Sequence, residues 1–322
     1  MRVFKSAFAE HVIAFINYRK ASGQWNDSYE ENIYLFDRYC SDSYPPGSLL
    51  CQDMVDSWCE KRGSELNRSC ETRIRIIRAF IRYLNNRGLT DVIPPAQLKQ
   101  EPLTYIPHAF TKDELQRFFK ECDSIPVNSS LVSKIRHLTC PVLFRLLYSS
   151  GIRTTEARLL RTVDFNPVQG VLNIQKSKGR DQHYVALHKS MTDLMVKYDK
   201  AISELQQNRT FFFEKCSGGH YSRSWVTDTF HSLWRKANGN SENVVPYELR
   251  HNYATENINN WNGDDSYAVN EHLLYLSKSM GHRRRSSTLY YYTLVPSLAD
   301  VLLEKTETGF NEIVHEVSYD EE

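Results

Sequence analysis

Four prolines, Pro94, Pro95, Pro102 and Pro107, fall within the stretch VIPPAQLKQEPLTYIPH of a 322-residue chain. Proline removes a backbone donor and pushes its predecessor out of the helical region, so no helix passes through this stretch. The pattern on either side is strongly helical, which leaves two parts joined by an extended connection. A chain of this length can fill two modest cores. Upstream lie four helical patterns: Phe8 to Gly23, Ser28 to Cys40, Ser48 to Gly63 and Ser64 to Gly88. The second opens on a Ser-x-x-Glu capping box, and the third follows the Pro45-Pro46-Gly47 breaker. They predict a helical bundle over residues 1–91, with 92–108 as the linker.

Downstream, Thr111 caps a helix running to Asp123, with Glu114 three residues on. Ser133 to Gly151 is apolar enough for a core helix, and Thr154 to Asn166 reads as another helix. At Gly170 to His188 the period changes to two. Val171 to Ile174 and His183 to Leu187 predict the strands of a hairpin with Gly179 in its turn. Helices are expected again at Lys189 to Leu205, at Ser222 to Asn238 and from Tyr247, with Arg209 to Lys215 a strand or loop and Asn259 to Ser266 a surface loop. The expected class is mainly α with a small β-hairpin, in two domains.

Composition excludes several functions. The N-terminus has no uninterrupted apolar core of the signal-peptide kind, and no eighteen-residue apolar run occurs, so no membrane is expected. Seven scattered cysteines without a C-x-x-C pair predict free thiols in a reducing compartment. No H-E-x-x-H or Cys/His cluster points to a metal. Net charge is only +1, but residues 301–322 carry seven acids and one lysine. Residues 1–300 therefore hold 39 basic against 32 acidic side chains, a mild bias toward a polyanionic partner.

Three short boxes carry the chemistry. LLYSSGIRTTEARLL presents Arg153 and Glu156 after a glycine; PYELRHNYATE presents Arg250 and His251; and LSKSMGHRRRSSTLYYYT presents Gly281, His282 and three consecutive tyrosines, Tyr290 to Tyr292. Two guanidinium forks, an imidazole and a phenol suit phosphoryl transfer, in which a phosphate is clamped and a phenolate attacks. Adjacent helical residues point about 100° apart, so one tyrosine of the three can face a given phosphate, and the residues alone do not say which.

These boxes resemble the tyrosine recombinase (phage integrase) family. G-I-R-T-T-E matches its first arginine box, and Y-E-L-R-H-N-Y-A-T resembles its second, H-x-L-R-H-[TS]-F-A-T, with Tyr247 standing where the family has histidine. M-G-H followed by Thr288 resembles L-G-H-x5-T-x-x-Y, and the family spacing of nine residues after the histidine selects Tyr291. Lys178-Gly179 matches the family's strand lysine, with Lys176 its rival and Ala186 in place of the usual proline. The resemblance covers Phe110 to Leu298 closely and the N-terminal helices in outline.

The resemblance implies a clamp of a helical core-binding domain (1–91) and a catalytic domain (109–298), and an acidic tail (299–322) that either docks on a neighbouring subunit or is solvated. It implies a DNA strand transferase that makes a 3′-phosphotyrosyl intermediate without cofactor or metal. Arg153, Lys178, Arg250, His282 and Tyr291 would be catalytic. Tyr247 would be a phosphate donor, since a phenol with a reference pKa of about 10 is a poor base, and Glu156 and His251 would support the arginines. Arg73, Arg75, Arg78 and Arg82, set among Ile74, Ile76, Ile77, Phe80 and Ile81, read either as a solvated face or as a helix laid along DNA. Lys176 and Arg180 are further DNA-contact candidates. The implied partners are double-stranded DNA with inverted-repeat core sites and a homo-tetramer at synapsis, in the cytoplasm with a nucleoid, phage or mobile element. A DNA-binding relative that does not recombine and a type IB topoisomerase-like enzyme are the alternatives.

Overall fold

The computed structural model describes residues 2–25, 27–99, 107–175, 182–239, 244–261, 266–282 and 284–291. Lys176, Lys178, Arg180, Tyr292 and the acidic tail lie outside them. The chain divides into two compact units, Met1–Tyr105 and Ile106–Glu322.

The first unit holds α1 (Ala9–Ala21), α2 (Asp27–Ser43), α3 (Gln52–Cys59) and α4 (Asn67–Asn85). Apolar residues at helical spacing on α4, among them Ile77, Phe80, Ile81 and Leu84, meet Phe15, Ile33 and Phe36 in one core. Two boundaries differ from expectation. Helix α2 starts at Asp27, so Ser28 sits inside it, where its carbonyl accepts from Asn32 Nδ2. Helix α3 starts late because Ser48 closes a turn on the Pro45 carbonyl and Cys51 is extended.

The α4 arginines are not one outward face. Arg73 is buried, bonding Glu65 at 2.7 Å, the Glu60 carbonyl at 2.9 Å and the Trp58 carbonyl. Arg78, also buried, forks onto Glu71 at 2.7 and 2.9 Å and bonds the carbonyls of Pro95 and Ala96. Leu98 N–H bonds the same Glu71, so residues 95–98 are fastened along α4. Buried charge persists only when paired and bonded, and these two arginines are held that way by the fold. Arg73 and Arg78 therefore belong to neither a solvated nor a DNA-facing surface, which corrects the reading of the four as one face; Arg75 and Arg82 are exposed. Arg19 and Arg87 join them in a groove that also holds Tyr18 and Tyr83.

The second unit holds α5 (Lys112–Asp123), α6 (Leu131–Ser150), α7 (Thr154–Leu159), β1 (Phe165–Asn166), β2 (Val171–Ile174), β3 (His183–Ala186), α8 (Lys189–Leu205), α9 (Arg223–Asn238), α10 (Glu248–Asn259), α11 (Ser266–Ser279) and α12 (Ser286–Leu289). Thr111 and Glu114 form the capping box of α5. The strands make one antiparallel sheet in the order β1-β2-β3, with Leu172 opposite Val185 and Ile174 opposite His183. Leu172 and Val185 are fully buried on one face, as period two requires. The third strand, β1, was not visible as a pattern because it is two residues long. Helix α7 ends at Leu159, short of the expected Asn166, because Arg161 and Asp164 close a separate 3-10 turn.

Phe118, Phe144, Phe230 and Trp234 centre the core of this unit, with ring centroids 5.0–5.8 Å apart. Helix α6 runs through that core and brings Gly151 to the edge where the site forms. The described thiols are all free; Cys51 and Cys216 are exposed. No helix among the described residues is long and apolar enough to cross a membrane.

Candidate active site

The site is built from two chain reversals that need glycine. Gly151 ends α6 in the left-handed region, φ +62°, and a Cβ there would overlap the Tyr253 ring of α10. The chain then extends through Arg153, the N-cap of α7. Glu156, its side chain inaccessible to solvent, accepts from the Arg153 backbone N–H at 2.8 Å and from its Nη1 at 2.5 Å. A carboxylate thus fixes both the backbone and the guanidinium of Arg153. The other arm, Nη2, donates to the Gly281 carbonyl at 3.2 Å.

Gly281 is the second reversal. Its N–H bonds the Lys278 carbonyl and the His282 N–H bonds the Ser277 carbonyl, the paired bonds of a Schellman cap on α11. With φ +61°, the turn points His282 back into the site, and a Cβ on Gly281 would come 2.7 Å from the His183 ring of β3. The sheet is thereby packed against the Gly-His turn, although the two are far apart in sequence.

Arg250 on α10 is 1% exposed and ties the two reversals together. It donates to the Gly151 carbonyl through Nη1, to the Met280 carbonyl at 2.8 Å and to His282 Nε2 at 2.9 Å through Nη2. Its Nε has no hydrogen-bond partner among the described residues. Among the described residues no carboxylate pairs with it, so a buried positive charge stands ready for an anion. His282 Nδ1 lies 2.7 Å from Thr288 Oγ1.

Tyr291 is 2% exposed and packs with Ala254, Ile258, Leu276 and Met280. Its ring lies parallel to His282, centroids 6.0 Å apart, and 5.5 Å from His251. Burial pushes its phenol up to about 12, against the pull of the Arg250 charge. Tyr290 is 37% exposed and stands 6.3 Å from His251. Of the described tyrosines in the cluster, Tyr291 is the one turned inward. His251 is buried, and burial beside the Arg250 charge holds it down at about 4, neutral at neutral pH. Its ring is edge-on to Tyr247 at 4.9 Å, whose own side is open to solvent.

Arg153, Glu156, Arg250, His251, His282 and Tyr291 are therefore brought together, with Tyr247 at the rim. The sequence reading missed three contributors. His183 carried only the signal of lying five residues past Lys178; Glu248 sits buried inside the arginine box; and the carbonyls of Gly151 and Met280 leave no side-chain signature. Glu248 is pushed up to about 7 by burial, offset by a bond from the His108 backbone.

The model of the phage integrase family matches residues 108–296, more than half of the chain. The chain belongs to the phage integrase family. Within it, a Sinorhizobium fredii (strain NGR234) protein named integrase/recombinase y4rB is 25% identical over 311 residues, covering 94% of this chain and 98% of its own. Tyrosine recombinase XerC of Oceanobacillus iheyensis is 26% identical over 230 residues, 70% of this chain and 69% of its own. In fold, the chain is similar to XerH site-specific recombinase bound to palindromic difH substrate, a post-cleavage complex (TM-score 0.60, 17% identity, 82% of this chain and 75% of that one). It is also similar to a lambda integrase dimer bound to a COC′ core site (TM-score 0.58, 16% identity, 88% and 94%).

Proposed function

We propose that this integrase-family protein cuts and rejoins DNA site-specifically through a 3′-phosphotyrosyl intermediate. The observation that carries the reading is Arg250, buried without a carboxylate partner among the described residues and bonded to His282, beside the ring of Tyr291. A phosphodiester entering there meets the forks of Arg153 and Arg250, which neutralise its non-bridging oxygens as charge builds in the transition state. Tyr291 Oη gives its proton to water and bonds to phosphorus; the P–O5′ bond breaks and the 5′-oxygen leaves as a hydroxyl, its proton supplied by Lys178. Rejoining is the reverse attack by a 5′-hydroxyl, with the bond energy kept in the phosphotyrosine. Tyr247 donates a hydrogen bond to the phosphate, His282 donates from the other side, and His251 buttresses the arginine helix.

Double-stranded DNA with inverted-repeat core sites is the substrate on this reading. The helical unit (1–91) and the catalytic domain (109–298) both bind that DNA, and four protomers meet at synapsis; the tail (299–322) serves either as a subunit contact or as a solvated segment. The cell compartment is that of the DNA, the cytoplasm. Arg75 and Arg82, with Arg19 and Arg87 in the same groove, serve the DNA backbone, as do Lys176 and Arg180.

A nicked suicide duplex carrying a candidate core site tests this. The expected result is a denaturation-resistant adduct that disappears in Arg250→Ala. Tight, specific binding with no adduct on a verified site would instead support a DNA-binding relative that has lost cleavage.

A further inference from the structure

We infer that Thr288 is a positioning residue whose hydroxyl lets His282 exchange one neutral tautomer for the other when DNA binds. The inference rests on the strand-transfer reading above. Arginine has no acceptor, so the 2.9 Å contact of Arg250 Nη2 with His282 Nε2 has arginine as donor. The Nε2 lone pair is then occupied and unprotonated, and the imidazole proton of a neutral ring sits on Nδ1. Nδ1 is 2.7 Å from Thr288 Oγ1, which accepts it. In the DNA-free site His282 therefore fills the place on Arg250 that a phosphate oxygen would take, and it cannot itself donate to a phosphate.

When phosphate displaces His282 from the Arg250 fork, donation from Nε2 requires the proton to be there, and Nδ1 must become an acceptor. A hydroxyl can reverse its role at once, donating where it had accepted; a carboxylate or a carbonyl could not. Thr288 is fully buried, so its hydroxyl has no bulk water to turn to in place of Nδ1. It lies three residues before Tyr291, on the same side of the helical turn, and its N–H is bonded to the Arg285 carbonyl. The tautomer of His282 and the place of Tyr291 are thus set from one short element. No proton leaves the ring in sum: one is given up at Nδ1 and one is gained at Nε2, with solvent exchanging them as the phosphate enters.

Long-range 15N–1H correlation on histidine-labelled protein reads the tautomer. The free protein is expected to show His282 protonated at Nδ1, and full-length Tyr291→Phe bound to a half-site duplex is expected to show it protonated at Nε2. Thr288→Val, nearly the same volume, should slow single-turnover cleavage about 10- to 100-fold, less than loss of a phosphate donor itself, with duplex affinity within about twofold. Thr288→Ser should return cleavage to within about threefold of the parent. A free-state proton on Nε2, an imidazolium in the complex, or parental cleavage by Thr288→Val would each overturn the inference. If no duplex is ever cleaved the strand-transfer reading fails instead, and the tautomers of the free and duplex-bound protein still decide this one.

Discussion

Replacing Gly281 by alanine isolates the device that aims His282. Two terms follow from the geometry. A non-glycine residue held at φ +61° costs about 1–2 kcal/mol. The new Cβ would stand 2.7 Å from His183 Cε1 and 3.0 Å from both ring nitrogens, and relieving such overlap in a packed site costs about 1–3 kcal/mol more. Gly281→Ala should therefore lose about 2–5 kcal/mol in urea unfolding. It should also slow cleavage by roughly 100-fold, since the Gly281 carbonyl holds Arg153 and misplacement on the 1 Å scale is that expensive. His183→Ala removes the ring that the methyl strikes. The double variant should recover the overlap term, a favourable coupling of about 1–3 kcal/mol in the cycle, and keep the backbone term. Additive losses, or a Gly281→Ala protein within about 0.5 kcal/mol of the parent, would refute the packing of sheet against turn.

Three more outcomes are expected. Glu71→Ala leaves Arg78 buried and unpaired and should cost about 3–5 kcal/mol in chemical denaturation, whereas Arg75→Ala should cost little. Glu248 holds its proton more tightly folded, at about 7, than unfolded, so its contribution to stability falls as pH rises from about 4.5 to about 7. Glu248→Gln should gain on the parent by up to ~3 kcal/mol at pH 8 and by much less at pH 5, read from melting curves at both. Arg75→Gln and Arg82→Gln should weaken duplex binding and each lower the salt slope by about 1, without changing single-turnover cleavage at saturating protein.

Much of this was legible in the chain. Helices α5 and α8 declared themselves by cap and period, the hairpin by its change of period, and the site residues by boxes whose glycines are required where φ is positive, at Gly151 and Gly281. The arginines of α4 were not. Arg73 and Arg75 sit two apart, yet one is locked to Glu65 and carbonyls of the preceding loop while the other is half exposed, and only the partners distinguish them. His183 was silent because its role is to fill space beside a glycine nearly a hundred residues on. The Met280 and Gly151 carbonyls that hold Arg250 are backbone groups, which no pattern of residue types records.

The most direct test of the central claim is to map the covalent residue. The protein is trapped on a nicked suicide duplex, digested, and the DNA-linked peptide sequenced by mass spectrometry. The adduct is predicted on Tyr291, the inward-facing phenol beside His282, absent in Tyr291→Phe and retained in Tyr290→Phe. An adduct on Tyr290 or Tyr292, or cleavage surviving in Tyr291→Phe, would contradict it.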